Sequence, residues 1–252
     1  MHAHLDHPLT VFVIALVAQG IAVFVGDFLR RHTHQFRQGE RHDFATIQAA
    51  TLTLLALITG FSFSMAVTRY DQRKTLEEAE ANAIGTAYLR ADLLPGDVAP
   101  RARDTLRKYL QERIAFYEEG DEHAASEIGR RTTALQDELW ASVLPATNTP
   151  TPITALAIAA MNDVNNAQGF TQAAWWNRIP IGAWAMMLLM AISCNLLVGY
   201  GEQRKEVLAL FILPVVISVA YFLIADLDSP RGGTIRVIPQ NLRTAAQVMT
   251  PR

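Results

Sequence analysis

The stretch Ile47–Val67, which reads IQAATLTLLALITGFSFSMAV, decides the fold because it holds 21 consecutive residues without a charge. A helix of about 20 apolar residues crosses the hydrocarbon core of a bilayer. Three more uncharged stretches occur: Leu9–Gly26, Ile179–Val198 and Val207–Ala225. Buried core helices of water-soluble proteins rarely stay uncharged for so long. The sequence therefore predicts an integral membrane protein with four spans, at residues 9–28, 45–67, 179–199 and 207–225.

The composition of the whole chain excludes several classes of protein. The 252 residues include 22 Lys and Arg against 24 Asp and Glu, which leaves no broad basic surface for nucleic acid. A single cysteine excludes a disulfide framework within one chain and a cysteine-rich metal site. The first eight residues carry no Lys or Arg, so we interpret the first span as retained rather than cleaved as a signal peptide.

Residues 68–177, between the second and third spans, differ from the rest of the chain. They hold 11 Lys and Arg and 16 Asp and Glu, a net charge of −5. Apolar residues recur there with the helical period, and no strand alternation appears. We expect an all-α protein with four transmembrane helices and a helical bundle inserted between the second and third. The predicted divisions are 1–67, 68–177, 178–226 and a carboxyl-terminal tail, 227–252.

Positive residues near the spans predict the orientation. Four spans place both termini and the 68–177 bundle on one side of the membrane and the two short loops on the other. The positive-inside rule counts short loops and discounts long translocated domains. The short loops carry six positive residues: Arg30, Arg31, Arg37, Arg41, Arg204 and Lys205. We therefore expect cytoplasmic short loops, with the bundle and both termini extracytoplasmic.

Several segments together are similar to a known family. The runs Gly60–Asp71, Glu77–Tyr88 and Leu93–Pro95, the exit Asp228–Val237 and the four-span layout resemble the bacterial bestrophin-like membrane proteins, a family of unknown function. The resemblance implies an inner-membrane protein and, through the family's name, a kinship to anion channels. Arginines expected after Asn162–Asn166 are replaced here by other residues, so no role is transferred to that position.

The second span is the most polar of the four and has two distinct faces. At about 100° per residue, one face is a polar stripe. The stripe comprises Gln48, Thr51, Leu55, Thr59 and Ser62, with Arg69 and Arg73 continuing it beyond the span. The opposite face is a small-residue face, which comprises Ala49, Thr53, Ala56, Gly60 and Ser64. Small residues at this spacing let helix backbones approach closely, so this face is predicted to pack against another helix.

The polar stripe supports two interpretations. In a homo-oligomer, its hydroxyl and amide dipoles would line a conduit and replace part of an ion's hydration shell, while Arg69 and Arg73 would concentrate anions at one mouth. Alternatively, the hydroxyls bond to their own helix or to neighbours, contributing about 0.6 kcal/mol each, and both arginines are interface anchors. Gln19 and Asn195, rare polar groups in the other spans, are interpreted as helix-packing features.

Two functions follow from these features. The first is an oligomeric, anion-leaning ion channel in the lipid bilayer, lined by the second span. The second is a non-conducting sensor or scaffold whose helical bundle binds an envelope ligand or protein partner. No acid, Lys or Arg lies within the uncharged cores of the four spans, which disfavours an ion-coupled pump. No catalytic motif is present, so we expect no enzymatic activity, no cofactor and no metal.

An acidic run follows the second span. Glu77, Glu78 and Glu80, together with the amide-rich Asn162–Asn166, could bind a cation in the bundle. Helix spacing directs Glu77 and Glu80 to about one side. We therefore favour a solvated acidic face over a cation site.

Overall fold

The computed structural model describes residues 7–32, 38–148, 150–201 and 207–249. In these residues all regular structure is helical and there is no strand, which confirms the all-α prediction. The helices are α1 (Pro8–His32), α2 (Gln38–Ala91), α3 (Val98–Glu118), α4 (Glu122–Val143), α5 (Pro152–Trp176), α6 (Ile181–Gly201), α7 (Val207–Asp228) and α8 (Gln240–Val248). A short 3-10 helix, Leu144–Asn148, follows α4.

Four helical segments are long and apolar enough to cross a membrane. They are Pro8–His32, Arg41–Ala91, Pro152–Gly201 and Leu210–Asp228. The first three contain the uncharged stretches Leu9–Gly26, Ile47–Val67 and Ile179–Val198, and the fourth overlaps the stretch Val207–Ala225 from Leu210 onward. Arg37, Arg204 and Lys205, which entered the orientation prediction, lie outside the described residues.

The chain divides into two compact units. The first unit comprises Met1–Arg69 and Arg178–Ile235, and the second comprises Tyr70–Asn177 and Arg236–Arg252. Helix α2 belongs to both units, because its 54 residues continue past Arg69 without a break. Within residues 227–252, those up to Ile235 belong to the first unit and those from Arg236 onward to the second, and the predicted division of the chain stays a prediction.

Two glycines bring α1 and α6 into close contact in the first unit. A Cβ atom added to Gly26 would lie 2.2 Å from the carbonyl oxygen of Leu196, and one added to Gly199 would lie 2.1 Å from that of Val23. Both distances are shorter than any real contact of a Cβ atom. The two backbones can therefore approach this closely only where both helices lack a side chain.

Buried polar side chains join α1 to α6 and α7. The amide nitrogen of Gln19 donates to the hydroxyl of Ser218 at 3.2 Å, and the amide nitrogen of Asn195 donates to the Gln19 side-chain oxygen at 2.9 Å. All three side chains are fully buried. The packing role predicted for Gln19 and Asn195 is confirmed, since each satisfies a polar group that has no access to water.

The second unit has its own apolar core, formed by α2, α3, α4, α5 and α8. Its fully buried members include Ile84, Leu106, Leu110, Leu139, Met161 and Leu242. Helix α8 has nine residues and is not predicted by the sequence pattern. Its first turn is held from α2, because the Glu77 carboxylate accepts from the Leu242 backbone amide at 2.9 Å and from the Asn241 side chain at 2.6 Å. A carboxylate at a helix amino terminus satisfies free amide groups and complements the helix dipole.

Gly199→Ala is expected to destabilise the first unit, because its methyl group would collide with the Val23 carbonyl group. Overpacking of this kind costs about 1–3 kcal/mol. The thermal unfolding midpoint of the detergent-solubilised protein should fall. The matched control is Gly182→Ala, also in α6, where an added Cβ atom meets nothing within 4 Å. Equal midpoints for the two variants would contradict the close α1–α6 contact.

Candidate functional site

The polar stripe of α2 faces other helices of the first unit. Leu55 and Ser62 are buried, and Gln48, Thr51 and Thr59 are half-buried. Gln48 lies beside Gly201 of α6, and Thr59 lies beside the hydroxyl of Tyr221 in α7. Within one chain, the stripe predicted to line a conduit is therefore turned toward α6 and α7. Its predicted role in conduction stays a prediction.

The small-residue face of α2 has the opposite surroundings. All five of its members, Ala49, Thr53, Ala56, Gly60 and Ser64, are exposed on the single chain. A Cβ atom added to Gly60 would meet nothing within 4 Å. The Thr53 hydroxyl donates to the Ala49 carbonyl oxygen of its own helix at 2.9 Å. No described helix of the same chain covers Gly60, and the predicted packing role of this face stays a prediction.

The arginines that continue the stripe lie in different units. Arg69, in the first unit, approaches Asp228 at the end of α7 with 3.7 Å between Nη1 and Oδ1. The Asp228 carboxylate also accepts from the Ile179 backbone amide at 3.1 and 3.2 Å. Arg73, in the second unit, is buried with 2% of its surface exposed. Neither side chain extends freely into water, and the predicted role of both arginines at a conduit mouth stays a prediction.

The carboxylate of Asp226 stabilises the turn that follows α7. The Asp226 carboxylate accepts from the Thr234 amide at 2.6 Å, from the Thr234 hydroxyl at 2.9 Å and from the Ile235 amide at 2.9 Å. A Cβ atom added to Gly233 would lie 2.6 Å from the Asp226 carbonyl oxygen. This turn lies in the segment Asp228–Val237 that carried the family resemblance. The sequence signal was an acid followed by paired glycines, which is typical of a tight turn.

A buried ion pair lies at the centre of the second unit. Arg113 of α3 donates to the Glu80 carboxylate of α2 through Nε at 2.5 Å and through Nη2 at 3.3 Å. The Thr171 hydroxyl of α5 also donates to Glu80, at 3.1 Å. Because Glu77 and Glu80 are only 1% and 0% exposed, the prediction of a solvated acidic face is wrong for both. Arg113 neutralises the Glu80 charge, and the described residues contain no cluster of acids, histidines or cysteines able to hold a metal ion.

Two tyrosines beside this pair are held in the neutral form. Burial raises the pKa of Tyr109 and of Tyr117, and the negative charge of Glu80 raises both pKa values further. For Arg113, burial lowers the pKa, but the charge and hydrogen bond of Glu80 together with the neighbouring tyrosines outweigh burial, so the pKa of the guanidinium is raised overall. The Arg113 guanidinium therefore keeps its charge while both phenols keep their protons. The ion pair has a structural role. It links α2, α3 and α5 rather than supplying a reactive group.

Removing one member of the buried pair should be far more damaging than removing both. We expect Arg113→Met to lower the free energy of unfolding by about 3–5 kcal/mol, because it leaves the Glu80 carboxylate buried without its cation. In the double variant Glu80→Leu with Arg113→Met, the free energy of unfolding should fall by less than the sum of its decreases in the two single variants. Unfolding of the full chain followed by circular dichroism measures each value.

The control for this cycle is Arg131→Met. Arg131 pairs with Glu112 at 3.0 Å at the surface, so its loss should cost only about 0–1 kcal/mol. If the losses from the two single variants at Glu80 and Arg113 simply add in the double variant, the coupling between the two side chains is disproved.

The described residues are all-helical, and four helical segments are long and apolar enough to cross a membrane. The family model described as Bestrophin-like domain matches residues 10–242. The chain therefore belongs to the bestrophin-like family, and the resemblance noted in the sequence is confirmed. A comparison with curated proteins finds no match.

Solved structures with the same fold support this assignment. One crystal structure of a mutant bacterial bestrophin homolog from Klebsiella pneumoniae has a TM-score of 0.64 at 12% identity, over 99% of this chain and 96% of that one. A second mutant has a TM-score of 0.63 at 13% identity, over 97% and 99%. A structure described only as a membrane protein has a TM-score of 0.63 at 13% identity, over 94% and 95%. At these identities the likeness concerns the fold alone.

Proposed function

We propose that the protein is a homo-oligomeric ion channel of the inner membrane that favours anions and is lined by α2. The observation that carries this proposal is the family match over residues 10–242, because the family's name relates the chain to anion channels. In this proposal the four apolar segments span the bilayer, and the helical bundle between the second and third spans lies outside it.

The structure supports α2 as the lining helix through its exposed surface. From residue 45 to residue 68, α2 carries no charge, so its transmembrane part contains no acid that would repel an anion. The small-residue face is exposed along this part, whereas the polar stripe contacts α6 and α7. We therefore propose that the small-residue face, with the hydroxyls of Thr53 and Ser64, is directed toward the conduit or toward neighbouring copies.

Substituted cysteines on α2 test this proposal in planar bilayers. The only native cysteine, Cys194, is buried and can be replaced by alanine to give a silent background. In that background, a negatively charged thiol reagent should reduce the current of Gly60→Cys, because the thiol would lie in the ion's path. The same reagent should leave Ser62→Cys unchanged, since position 62 lies two residues away on the buried stripe.

Three outcomes are informative. Faster modification of Gly60→Cys by an anionic reagent than by a cationic one would support anion preference. If the reagent blocks the current of Ser62→Cys but not that of Gly60→Cys, the polar stripe lines the conduit and the small-residue face does not. Absence of any current from purified, reconstituted protein would contradict the channel and favour the non-conducting sensor or scaffold.

The orientation of the protein in the membrane is a separate prediction. The positive residues of the short loops favour an extracytoplasmic bundle with both termini on the same side. A phosphatase active only outside the cytoplasm, fused after residue 252, should therefore be active. A fluorescent protein that folds only in the cytoplasm should be dark at the same position. The reverse pattern would place the bundle in the cytoplasm.

A further inference from the structure

Two arginine side chains of the second unit converge on one tyrosine oxygen. Nη2 of Arg103 lies 2.7 Å from the Tyr88 hydroxyl oxygen, and Nη2 of Arg107 lies 2.9 Å from the same atom. Both guanidinium groups also lie over the Tyr88 ring, at 4.3 and 5.5 Å from its centre. We call this cluster of Tyr88, Arg103 and Arg107 the arginine cradle. Two like charges this close raise each other's energy unless an acceptor lies between them.

Local structure explains how the cradle forms. Tyr88 lies near the end of α2, and both arginines lie in α3, one helical turn apart. The chain reverses between these helices at Gly96, whose φ of 57° is in the left-handed region that glycine adopts without strain. Tyr88 is only 5% exposed, so its hydroxyl is fixed in the structure rather than mobile in solvent.

The charges of the cradle are only partly balanced. Asp92 forms an ion pair with Arg103, which leaves one net positive charge among Asp92, Arg103 and Arg107. Nε of Arg103 is buried and has no hydrogen-bond partner among the described residues. Burial raises the pKa of Tyr88, but the hydrogen bonds and positive charges of Arg103 and Arg107 together outweigh burial and lower the pKa overall. The cradle is therefore a site of positive potential with an unused donor.

A neutral group of the carboxyl-terminal segment occupies the acceptor position. The carbonyl oxygen of Met249 accepts from Nε of Arg107 at 2.9 Å and from the Tyr88 hydroxyl at 3.2 Å. Met249 directly follows α8 and is buried. A carbonyl oxygen is a weaker acceptor for guanidinium groups than a charged oxyanion, which arginine binds through paired hydrogen bonds.

We propose that the arginine cradle is a binding site for a phosphate group, which replaces the Met249 carbonyl oxygen and releases the end of α8 from the second unit. The phosphate oxygens would accept from Arg103 and Arg107, including the unused Nε of Arg103. The same chemistry is offered by inorganic phosphate and by the phosphate monoester of a lipid headgroup. The proposal is independent of ion conduction.

Calorimetry of the full-length protein in detergent measures the binding. Inorganic phosphate is titrated against chloride at constant ionic strength. We expect saturable phosphate binding that weakens about tenfold or more in Arg103→Gln and in Arg107→Gln, because each loses charged hydrogen bonds. The control is Arg101→Gln in the same helix, whose side chain pairs with Asp97 at 2.7 Å at the surface and lies outside the cradle. This control should bind phosphate as the wild type does.

A second measurement follows the carboxyl-terminal segment. Val248 is 75% exposed, so a fluorophore on Val248→Cys, in the Cys194→Ala background, reports its mobility. Phosphate should increase that mobility in the wild-type cradle. In Arg107→Gln, mobility should already be high without phosphate, because a hydrogen bond to Met249 is missing, and phosphate should add little. This result separates loss of the site from loss of the fold.

The mobility of the label in lipid nanodiscs distinguishes a lipid headgroup from free phosphate as the source of the phosphate group. Mobility that rises in nanodiscs containing phosphatidic acid but not in those of phosphatidylcholine alone, without added phosphate, identifies a headgroup. A rise only with free phosphate identifies the soluble ion. Phosphate binding that is unchanged in both arginine variants, or phosphate that binds without altering the label's mobility, would overturn the proposal.

Discussion

Backbone amide and carbonyl groups inside a bilayer have no water to bind, so every such group must find its partner within the protein. This constraint makes each long uncharged stretch of the chain a helix. It also extends to side chains, because a polar group in a span must be paired across helices. Gln19 is paired in this way with Ser218 and with the Asn195 amide nitrogen, which joins α1 to α7 and α6. Their packing then depends on the close approach that Gly26 and Gly199 allow.

In the second unit, a buried carboxylate is paired with a buried cation. Burying Glu80 removes a carboxylate from water, and the stabilisation has to come from Arg113 and from the hydroxyl of Thr171. Glu77, one turn earlier on α2, is buried for a different reason, since it holds the amino terminus of α8. The acidic run after the apolar part of α2 thus connects this helix to α3, α5 and α8. A helix that belongs to both units therefore carries, beyond its apolar part, the anchors of the bundle.

The exposure of α2 changes how its sequence is interpreted. Polar residues in a transmembrane helix can face a conduit or satisfy one another inside the subunit, and both arrangements produce the same helical spacing. Thr59 beside Tyr221 and Arg69 beside Asp228 are contacts between residues more than 150 positions apart. Helical periodicity separates the two faces of α2, but it contains no information about which face another helix of the chain will cover.

The sequence by itself determined the class of the protein, the uncharged stretches, the all-helical character and the family, because these depend on composition and on local periodicity. The faces of α2 were also separable from spacing alone. Only the tertiary structure decided which face is buried, that Glu77 and Glu80 are internal, and that α8 joins the second unit. It also brought Arg103, Arg107 and Tyr88 to the carbonyl oxygen of Met249. The physical reason is that these features require partners distant in the chain, and the energy of a buried charge or a free helix end depends on those partners.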